Sequence, residues 1–310
     1  MEWFRRHPTE KRFTMNTLYD ILEISKQAHW KYMESYVIFQ QNKDLISRSM
    51  IHLRQLHPKM GAKKMYSVLD PYSLGRDAFI DLYAELDLRL KRERSYTRTT
   101  FSSPASKYSN LTTNRIFMDI NELWSSDITY FPIGVNIFLY ITFIIDVYSR
   151  MILGYCVSPD LSASACVKAL EMALSFRNKA CYNDLIHHSD KGTQYTSNAY
   201  TNLLTKYNIK ISMCDSVYEN THIERVNGII KNEYLAHMNI KSLAECQRTL
   251  PKAVNLYNTV RPHWSLGLIT PEAYEKNLKM VPYSERIPLV VYHEKECANC
   301  QNVKQFELEF

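Results

Sequence analysis

The sequence lacks a long apolar run, a glycine-rich phosphate loop and any regular cysteine spacing. Its longest apolar stretch, Ile137–Ile145, has nine residues, whereas a membrane-spanning helix needs about 20. Only seven glycines are present and none form a phosphate-binding loop, which argues against nucleotide hydrolysis. The seven cysteines fit reduced thiols better than a disulfide framework. The amino terminus has no apolar signal-peptide core, so we expect a cytoplasmic protein without membrane contact.

Positive charge is concentrated in one short segment. The chain has 38 Lys and Arg against 32 Asp and Glu, a net charge of +6. Residues 89–107 carry a net charge of +5, while residues 108–310 carry −1. A polyanion would therefore bind through a local patch. The candidate phosphate contacts in this patch are Arg89, Lys91, Arg92, Arg94 and Arg98.

The first hundred residues have a helical pattern. The apolar spacing predicts helices at 17–24, 26–33, 45–56, 61–69 and 76–86. The last two helices, separated by Asp70–Gly75, resemble a helix-turn-helix, and Lys63, Lys64 and Arg76 are its candidate DNA contacts. The alternative is a small helical bundle without a ligand. A basic segment rich in Ser and Thr follows at 95–115 and has the composition of a linker.

The pattern changes from about residue 116. It predicts three strands in a meander at 124–131, 138–147 and 151–157, followed by alternating helices and strands as far as residue 259. The predicted fold class is therefore α/β, with a mixed sheet flanked by helices, preceded by an all-α region. The tail after about residue 276 shows no strong pattern.

Three acidic residues stand out in this second region. Asp127 lies inside an apolar strand, where aspartate is rare. Asp190 follows a short strand at its carboxyl end, where ligands of α/β sheets gather. Glu224 falls in the first turn of a helix beginning near Thr221. Clustered carboxylates need a cation, and Mg²⁺ or Mn²⁺ prefers oxygen ligands. Two such ions would support an in-line phosphoryl displacement.

Each acid also has a structural interpretation. Asp190 with Lys191 and Gly192 could form only a turn, and Thr221 with Glu224 matches a capping box. Asp127 could pair with a buried arginine. Asp146, at another strand end, is interpreted as a structural residue of the Ser149–Arg150 turn.

The helix that carries Glu224 has two further candidates. Asn227 and Lys231 follow Glu224 by three and seven residues, so all three side chains share one helical face. Lys231 would reach a DNA phosphate beside the metal ions, and Asn227 is a candidate DNA contact beside it. The alternative for Lys231 is a solvated lysine.

Five sequence blocks, in order, resemble bacterial insertion-sequence transposases of the second-reading-frame type with a retroviral-integrase-like core. Trp124–Tyr130, His187–Ser197 and Tyr218–Glu224 are similar to the three catalytic blocks. Tyr257–Pro271 is similar to the closing motif and His57–Tyr66 to the preceding helix-turn-helix region.

The resemblance implies a ribonuclease-H-like core in which Asp127, Asp190 and Glu224 are the catalytic, metal-binding acids. It implies hydrolytic nicking at the element's end and strand transfer by the released 3′-hydroxyl, without a covalent protein–DNA intermediate. It also implies a homo-oligomer on element-end and target DNA, fused to or assisted by an upstream-frame helix-turn-helix protein, at the bacterial nucleoid.

The chain departs from the family between the second Asp and the Glu. Here 33 residues separate Asp190 from Glu224, fewer than is usual, and Cys214–Val217 replaces basic and glycine residues. This shortening keeps two alternatives open: a catalytically degenerate DNA-binding protein and a ribonuclease-H-like nuclease. Cys297 and Cys300 have the spacing of half a zinc site, without an evident second half.

The sequence therefore predicts four parts. They are a helical DNA-binding region at 1–94, a linker at 95–115, an integrase-like core at 116–275 and a tail at 276–310.

Overall fold

The computed structural model describes residues 14–90, 108–214 and 220–291. The chain divides into two compact units. Of the described residues, the first comprises 14–56 and 60–90, and the second comprises 57–59, 108–214 and 220–291. No helix in the described ranges is both long enough and apolar enough to span a membrane.

The first unit is helical. Its core packs around Met50, Met65 and Phe79, which are fully buried, and the ring of Tyr66 packs edge-on against Phe79. The predicted pair of short helices separated by a turn is confirmed, with Asp70 ending the first of them in the left-handed conformation. The helices are α1 (Met15–Ile21), α2 (Lys26–Leu56), α3 (Ala62–Leu69) and α4 (Arg76–Glu85).

Helix α2 differs from its prediction. Separate helices were expected at 26–33 and 45–56, but the structure has one helix of 31 residues. The residues between the two predicted pieces include no glycine or proline, so nothing in the local sequence ends the helix. Only the carboxyl-terminal half reaches the core, through Ile46, Met50 and Leu53. The middle of α2 therefore lacks regular apolar spacing because it is exposed to solvent, and not because the helix is interrupted there.

The second unit is built on a five-stranded sheet with strand order β4-β3-β2-β5-β6. Strands β2, β3 and β4 form an antiparallel meander, and β5 and β6 add to β2 in parallel. The strands are β2 (Leu123–Gly134), β3 (Ile137–Asp146), β4 (Ile152–Ser158), β5 (Ile186–Ser189) and β6 (Lys210–Met213). A two-residue strand β1 (Ile116–Phe117) precedes them.

Helices cover both faces of this sheet. On one face α5 (Ala163–Arg177) and α6 (Asn198–Lys206) pack against Trp124. On the other face α7 (Thr221–Ile229) and α8 (Leu243–Thr259) pack against Phe143. Both rings are fully buried. The expected α/β, ribonuclease-H-like fold class is confirmed.

Helix α5 approaches the sheet very closely at Gly154. A Cβ atom at this position would lie 2.0 Å from the carbonyl oxygen of Ala169. No side chain other than hydrogen fits there, so the scarce glycine sets the distance between α5 and β4.

The turn between β3 and β4 is held by Asp146, which is fully buried. One carboxylate oxygen accepts the N–H groups of Tyr148 and Ser149 at 3.1 and 3.2 Å. The other oxygen accepts a bond from Arg177 at 3.2 Å, and Arg177 also binds both oxygens of Glu275. Burial raises the pKa of Asp146, and Arg177 opposes this shift. The structural interpretation of Asp146 is confirmed.

The carboxyl-terminal part is more ordered than its sequence pattern suggested. Helix α7, which was expected to begin near Thr221, ends at Ile229 and continues as a π-helical turn, Ile230–Tyr234, and a 3₁₀ turn, Leu235–His237. Helix α9 (Pro271–Leu278) crosses the predicted boundary at residue 275. Strand β7 (Leu289–Val290) pairs with β1. Strands of two residues carry no periodicity from which to predict them.

Candidate active site

The register of the sheet brings Asp127 and Asp190 side by side. Strands β2 and β5 pair in parallel from Leu123 opposite Ile186 to Ser126 opposite Ser189. Asp127 and Asp190 are the next residues on each strand, so they occupy neighbouring positions where β5 ends. This end is the carboxyl edge at which the sequence placed the candidate site.

Helix α7 is anchored to β2 by Asn220, the residue before its first turn. The side chain of Asn220 accepts a hydrogen bond from Ser125 and donates to the carbonyl oxygen of Ser126 at 3.3 Å. Glu224 lies in the first turn of α7, so this anchor brings it to the strand that carries Asp127. The capping-box alternative is wrong, because the helix begins at Thr221 with Asn220 as its N-cap.

Asn227 holds Asp127 directly. Its side-chain amide donates a hydrogen bond of 2.7 Å to one carboxylate oxygen of Asp127. Asn227 is only 4% exposed, and its own side-chain oxygen is buried without a partner among the described residues. The sequence correctly placed Asn227 on the face of Glu224, and its expected contact with DNA stays a prediction. In the structure the residue hydrogen-bonds an acid and is almost fully buried.

The environment of Asp127 favours its neutral form. Burial is the largest cause, and together with the carboxylates of Asp190 and Glu224 it raises the pKa of Asp127 to about 8. The backbone N–H of Ile128 and the charge of Lys231 oppose the rise. No arginine is among the described partners of Asp127, so the structure does not support a pairing with a buried arginine. The site therefore has an excess of negative charge.

Asp190 is fixed by a tight turn. Its carboxylate accepts the backbone N–H of Gly192 at 3.0 Å, which lowers the pKa of Asp190, although burial raises it overall. A Cβ on Gly192 would lie 2.9 Å from that same carboxylate and 3.0 Å from the side-chain oxygen of Gln194. The turn suggested as an alternative to catalysis is thus present, and it also orients the acid.

Glu224 and Lys231 complete the group. Glu224 is exposed, but partial burial of its side chain raises its pKa. Lys231 lies in the π-helical turn, half-buried, with its ammonium 5.0 Å from the centre of the Tyr130 ring. Burial lowers the pKa of Lys231, while Tyr130 and Asp127 raise it. Lys231 therefore belongs to the site and is not a freely solvated lysine.

The donor set suits a hard divalent cation. All three acids offer oxygen, and the partly buried carboxyl of Asp127 lies in a field of like charge that a cation would relieve. Within residues 14–90, 108–214 and 220–291, no three His, Cys, Asp or Glu side chains already form a closed cation cage. The acids surround the end of β5 and do not converge on one point.

The remaining predicted contacts lie elsewhere. In the first unit Lys63 is exposed and Lys64 half-buried on α3, while Arg89 is exposed after α4. Arg76 is exposed at the start of α4 and pairs with Asp77 at 3.1 Å. A final group lies outside the described residues: Lys91, Arg92, Arg94, Arg98, the loop positions Asp215, Ser216 and Val217, and Cys297 and Cys300.

Sequence reasoning missed the residues that hold the acids in place. Ser125 and Asn220 lie inside the recognised blocks, but their contact across about ninety residues of chain depends on strand register. Sequence reasoning also missed the contacts made by the closing block, Tyr257–Pro271. Asn258 bonds to both the N–H and the carbonyl of Ile152, and Arg261 binds both oxygens of Glu233. This block therefore fixes α8 and the segment after α7.

Known protein families and individual proteins are similar to this chain. A family model described as an integrase core domain matches residues 119–218, and a second integrase core model matches residues 205–271. An insertion element IS600 31 kDa protein of Shigella sonnei is 32% identical over 208 residues, covering 66% of this chain and 75% of that one. A putative transposase of IS986/IS6110 from Mycobacterium tuberculosis is 28% identical, covering 72% of this chain and 85% of that one.

Solved structures are more distant. The HTLV-2 integrase catalytic core domain in complex with magnesium is 22% identical, covers 50% of this chain and 96% of that one, and has a TM-score of 0.41. The family models and the curated relatives decide the assignment. The chain belongs to the bacterial insertion-sequence transposases with an integrase core domain, and it is a DNA transposase of the polynucleotidyl-transferase class.

Proposed function

We propose that Asp127, Asp190 and Glu224 are the catalytic acids of this transposase and its metal ligands. The observation that carries this proposal is Asp127 itself, a partly buried carboxyl whose charged neighbours are mainly acids. Stability alone does not explain such a group, because ionising a carboxyl among other acids costs free energy unless a cation is bound. Perturbed acids in a cluster are typical of functional sites.

An integrase core uses divalent metal ions, and we propose Mg²⁺ or Mn²⁺, as two ions, for this chain. Bound there, the ions would activate the attacking hydroxyl and stabilise the leaving oxygen of a phosphodiester. The residues of the chain orient the ligands. Asn227 fixes one oxygen of Asp127, Gly192 fixes one oxygen of Asp190, and Asn220 sets the start of the helix that carries Glu224.

The reaction we propose has two displacements. Water attacks a phosphodiester at the element's end and releases a 3′-hydroxyl. That hydroxyl attacks a phosphodiester of the target DNA, forming one bond and breaking another, so no covalent bond to the protein is needed. We propose that Lys231, held beside Asp127 and Tyr130, binds a phosphate of the DNA being cleaved.

The test compares wild type with Asp127→Asn and Glu224→Gln on labelled element-end DNA in Mg²⁺ or Mn²⁺. Nicking and joining by wild type alone supports the proposal. Nicking without joining would identify a ribonuclease-H-like nuclease. Equal binding by all three proteins without cleavage would identify a degenerate DNA-binding protein, and would contradict the catalytic assignment.

We propose that the helical front end and the basic segment bind DNA along the phosphate backbone. Lys63, Lys64, Arg76 and Arg89 would contribute from the described residues, with Lys91, Arg92, Arg94 and Arg98 beyond them. Replacing Arg92, Arg94 and Arg98 by Ala should weaken binding and lower the salt slope by about 0.9 for each phosphate that the protein no longer neutralises. An unchanged slope would make the segment a solvated linker.

The four-part division at residues 94, 115 and 275 stays a proposal, as does the assembly. We propose a homo-oligomer on DNA in the bacterial cytoplasm, fused to or assisted by an upstream-frame helix-turn-helix protein. Light scattering with and without element-end DNA would measure the first point. Co-expression of both frames, followed by a DNA-joining assay, would test the second.

A further inference from the structure

The hairpin of β2 and β3 extends past the rest of the sheet. Its two strands stay paired as far as Gly134 opposite Ile137, whereas β5 ends opposite Ser126 and β4 ends opposite Tyr140. Residues 131–139 therefore form a two-stranded projection past both flanking strands. The projection lies at the edge of the sheet that carries the candidate acids, because β5 ends at that same edge.

One face of this projection is anchored in the core and the other is open to solvent. Phe131 and Leu139 lie opposite each other and are buried in the core. Side chains alternate between the two faces of a strand, so the next opposite pair, Pro132 and Phe138, points the other way. Pro132 is exposed and Phe138 is 39% exposed. We call this open side the aromatic face, and its residues are Tyr130, Pro132, Phe138 and Tyr140.

The aromatic face is unusual for a strand surface in contact with water. The open face of a half-buried antiparallel sheet normally carries polar side chains, and exposed strand edges are commonly protected by charge. Residues 128–145 contain no charged side chain, and Val135 at the tip of the hairpin is 90% exposed. The hairpin itself therefore offers no charge to a phosphate group, and its flat apolar surface favours a ligand that stacks.

The aromatic face is continuous with the candidate active site. The ring of Tyr130 packs edge-on against the ring of Phe138, with the two centroids 5.6 Å apart. The ammonium of Lys231, which belongs to that site, lies 5.0 Å from the centre of the same Tyr130 ring. A cation beside an aromatic surface matches the phosphate and the base of a nucleotide, since proteins that bind single strands combine these two kinds of contact.

We propose that the aromatic face stacks against an unpaired nucleobase of the DNA strand that is cut. This inference rests on the proposed function, in which Lys231 binds a phosphate of the DNA being cleaved. Every base has a ring face that can stack on an aromatic side chain, but a base must leave its pair and its neighbours before a protein can reach that face. The hairpin therefore holds one strand of the element's end away from its complement, beside the candidate catalytic acids.

The test measures DNA binding by the full chain in EDTA, so that the readout does not depend on catalysis. Two element-end duplexes are compared, one fully paired and one with mismatches in place of the last base pairs at the cleaved end. Phe138→Ala removes the exposed ring, Phe138→Leu keeps its apolar volume without the ring, and Phe138→Tyr keeps a ring. Phe176→Ala is the matched control. Phe176 is 55% exposed on α5, beside Arg177, which binds Asp146 at the end of β3 far from the hairpin.

We expect wild type to bind the mismatched duplex more tightly than the paired one, because its bases are already separated. Phe138→Ala and Phe138→Leu should bind the mismatched duplex roughly tenfold more weakly, through loss of one base–aromatic stack. Both should keep the wild-type salt slope, because no phosphate contact is lost. Phe138→Tyr and Phe176→Ala should match wild type.

Three results overturn the inference. The first is wild-type affinity of Phe138→Leu for the mismatched duplex. The second is an equal loss of affinity for both duplexes, because the face would then not distinguish unpaired bases. The third is a wild-type oligomer that Phe138→Leu dissociates in the absence of DNA, measured by light scattering, because the aromatic face would then join two copies of the chain.

The two proposals fail separately. If wild type neither binds nor cleaves element-end DNA, the proposed function is wrong, and this inference falls with it. If wild type cleaves DNA and Phe138→Leu binds the mismatched duplex as wild type does, only the base-stacking site is wrong.

Discussion

Two aspartates on neighbouring strands of one sheet, Asp146 fully buried and Asp127 partly buried, have opposite surroundings. Asp146, at the end of β3, is bound by Arg177 and by three backbone N–H groups. Asp127, in the middle of β2, is bound by the amide of Asn227 and lies in the field of Asp190 and Glu224. Burial raises the pKa of both. The first acid has a cation supplied by the fold, and we propose that the second binds one from solution.

The largest expected effect is on catalysis. Asp127→Asn should reduce nicking and joining by about a thousandfold or more, because several kcal/mol of charge stabilisation would be removed. The asparagine should fold normally, since it removes charge repulsion at a partly buried position. Asp184→Asn is the control, because Asp184 is exposed and pairs with Lys210 at the surface. Activity is measured as joined product, and retained joining in Asp127→Asn would remove Asp127 from the catalytic group.

The second effect is on stability. Asp146→Asn leaves one side of the Arg177 guanidinium without its acid, although Glu275 still binds it. Breaking such a buried pair should cost about 3 kcal/mol in the free energy of unfolding, measured by urea denaturation. If Asp127→Asn destabilised the protein as much as Asp146→Asn, the contrast between the two acids would be false.

The response to metal ions should further distinguish Asp127 from Asp146. Mg²⁺ at about 100 times its dissociation constant should stabilise wild type by about 2.7 kcal/mol, measured as a rise in melting temperature. Asp146→Asn should keep most of this rise, while Asp127→Asn should lose it. An equal rise in all three proteins would mean that the ion binds elsewhere.

The smallest effect should come from Asn227. Asn227→Ala removes one hydrogen bond to a charged group, which is worth about 1.5–3 kcal/mol, without removing an acid. We expect a fall in the rate of joining of roughly tenfold to a hundredfold, with DNA affinity in EDTA unchanged. Weaker DNA binding in EDTA would return Asn227 to the role of a DNA contact.

The sequence predicted the α/β core well because its strands are apolar and its acids follow strand ends. The three catalytic candidates were identified from Asp127 in a strand, Asp190 after one and Glu224 in a first turn, and their catalytic role stays a prediction. The hydrogen bond from Asn227 to Asp127 was not predicted, because it depends on how α7 lies on β2. Helix α2 was predicted as two helices for a different reason, because the residues in its middle turns do not pack against a core.

The contacts of α7 with β2 also explain where this chain tolerates changes in length. Asn220 meets Ser125 and Lys231 meets Tyr130. Eleven helical residues rise about 16 Å, and five strand residues rise about the same distance. The two contacts are therefore equally far apart along α7 and along β2. One residue inserted after Asn220 would rotate Glu224 or Lys231 by about 100°. A change in chain length before Asn220 would not alter the spacing of these contacts between α7 and β2, so the shortened spacing between Asp190 and Glu224 is compatible with an intact site.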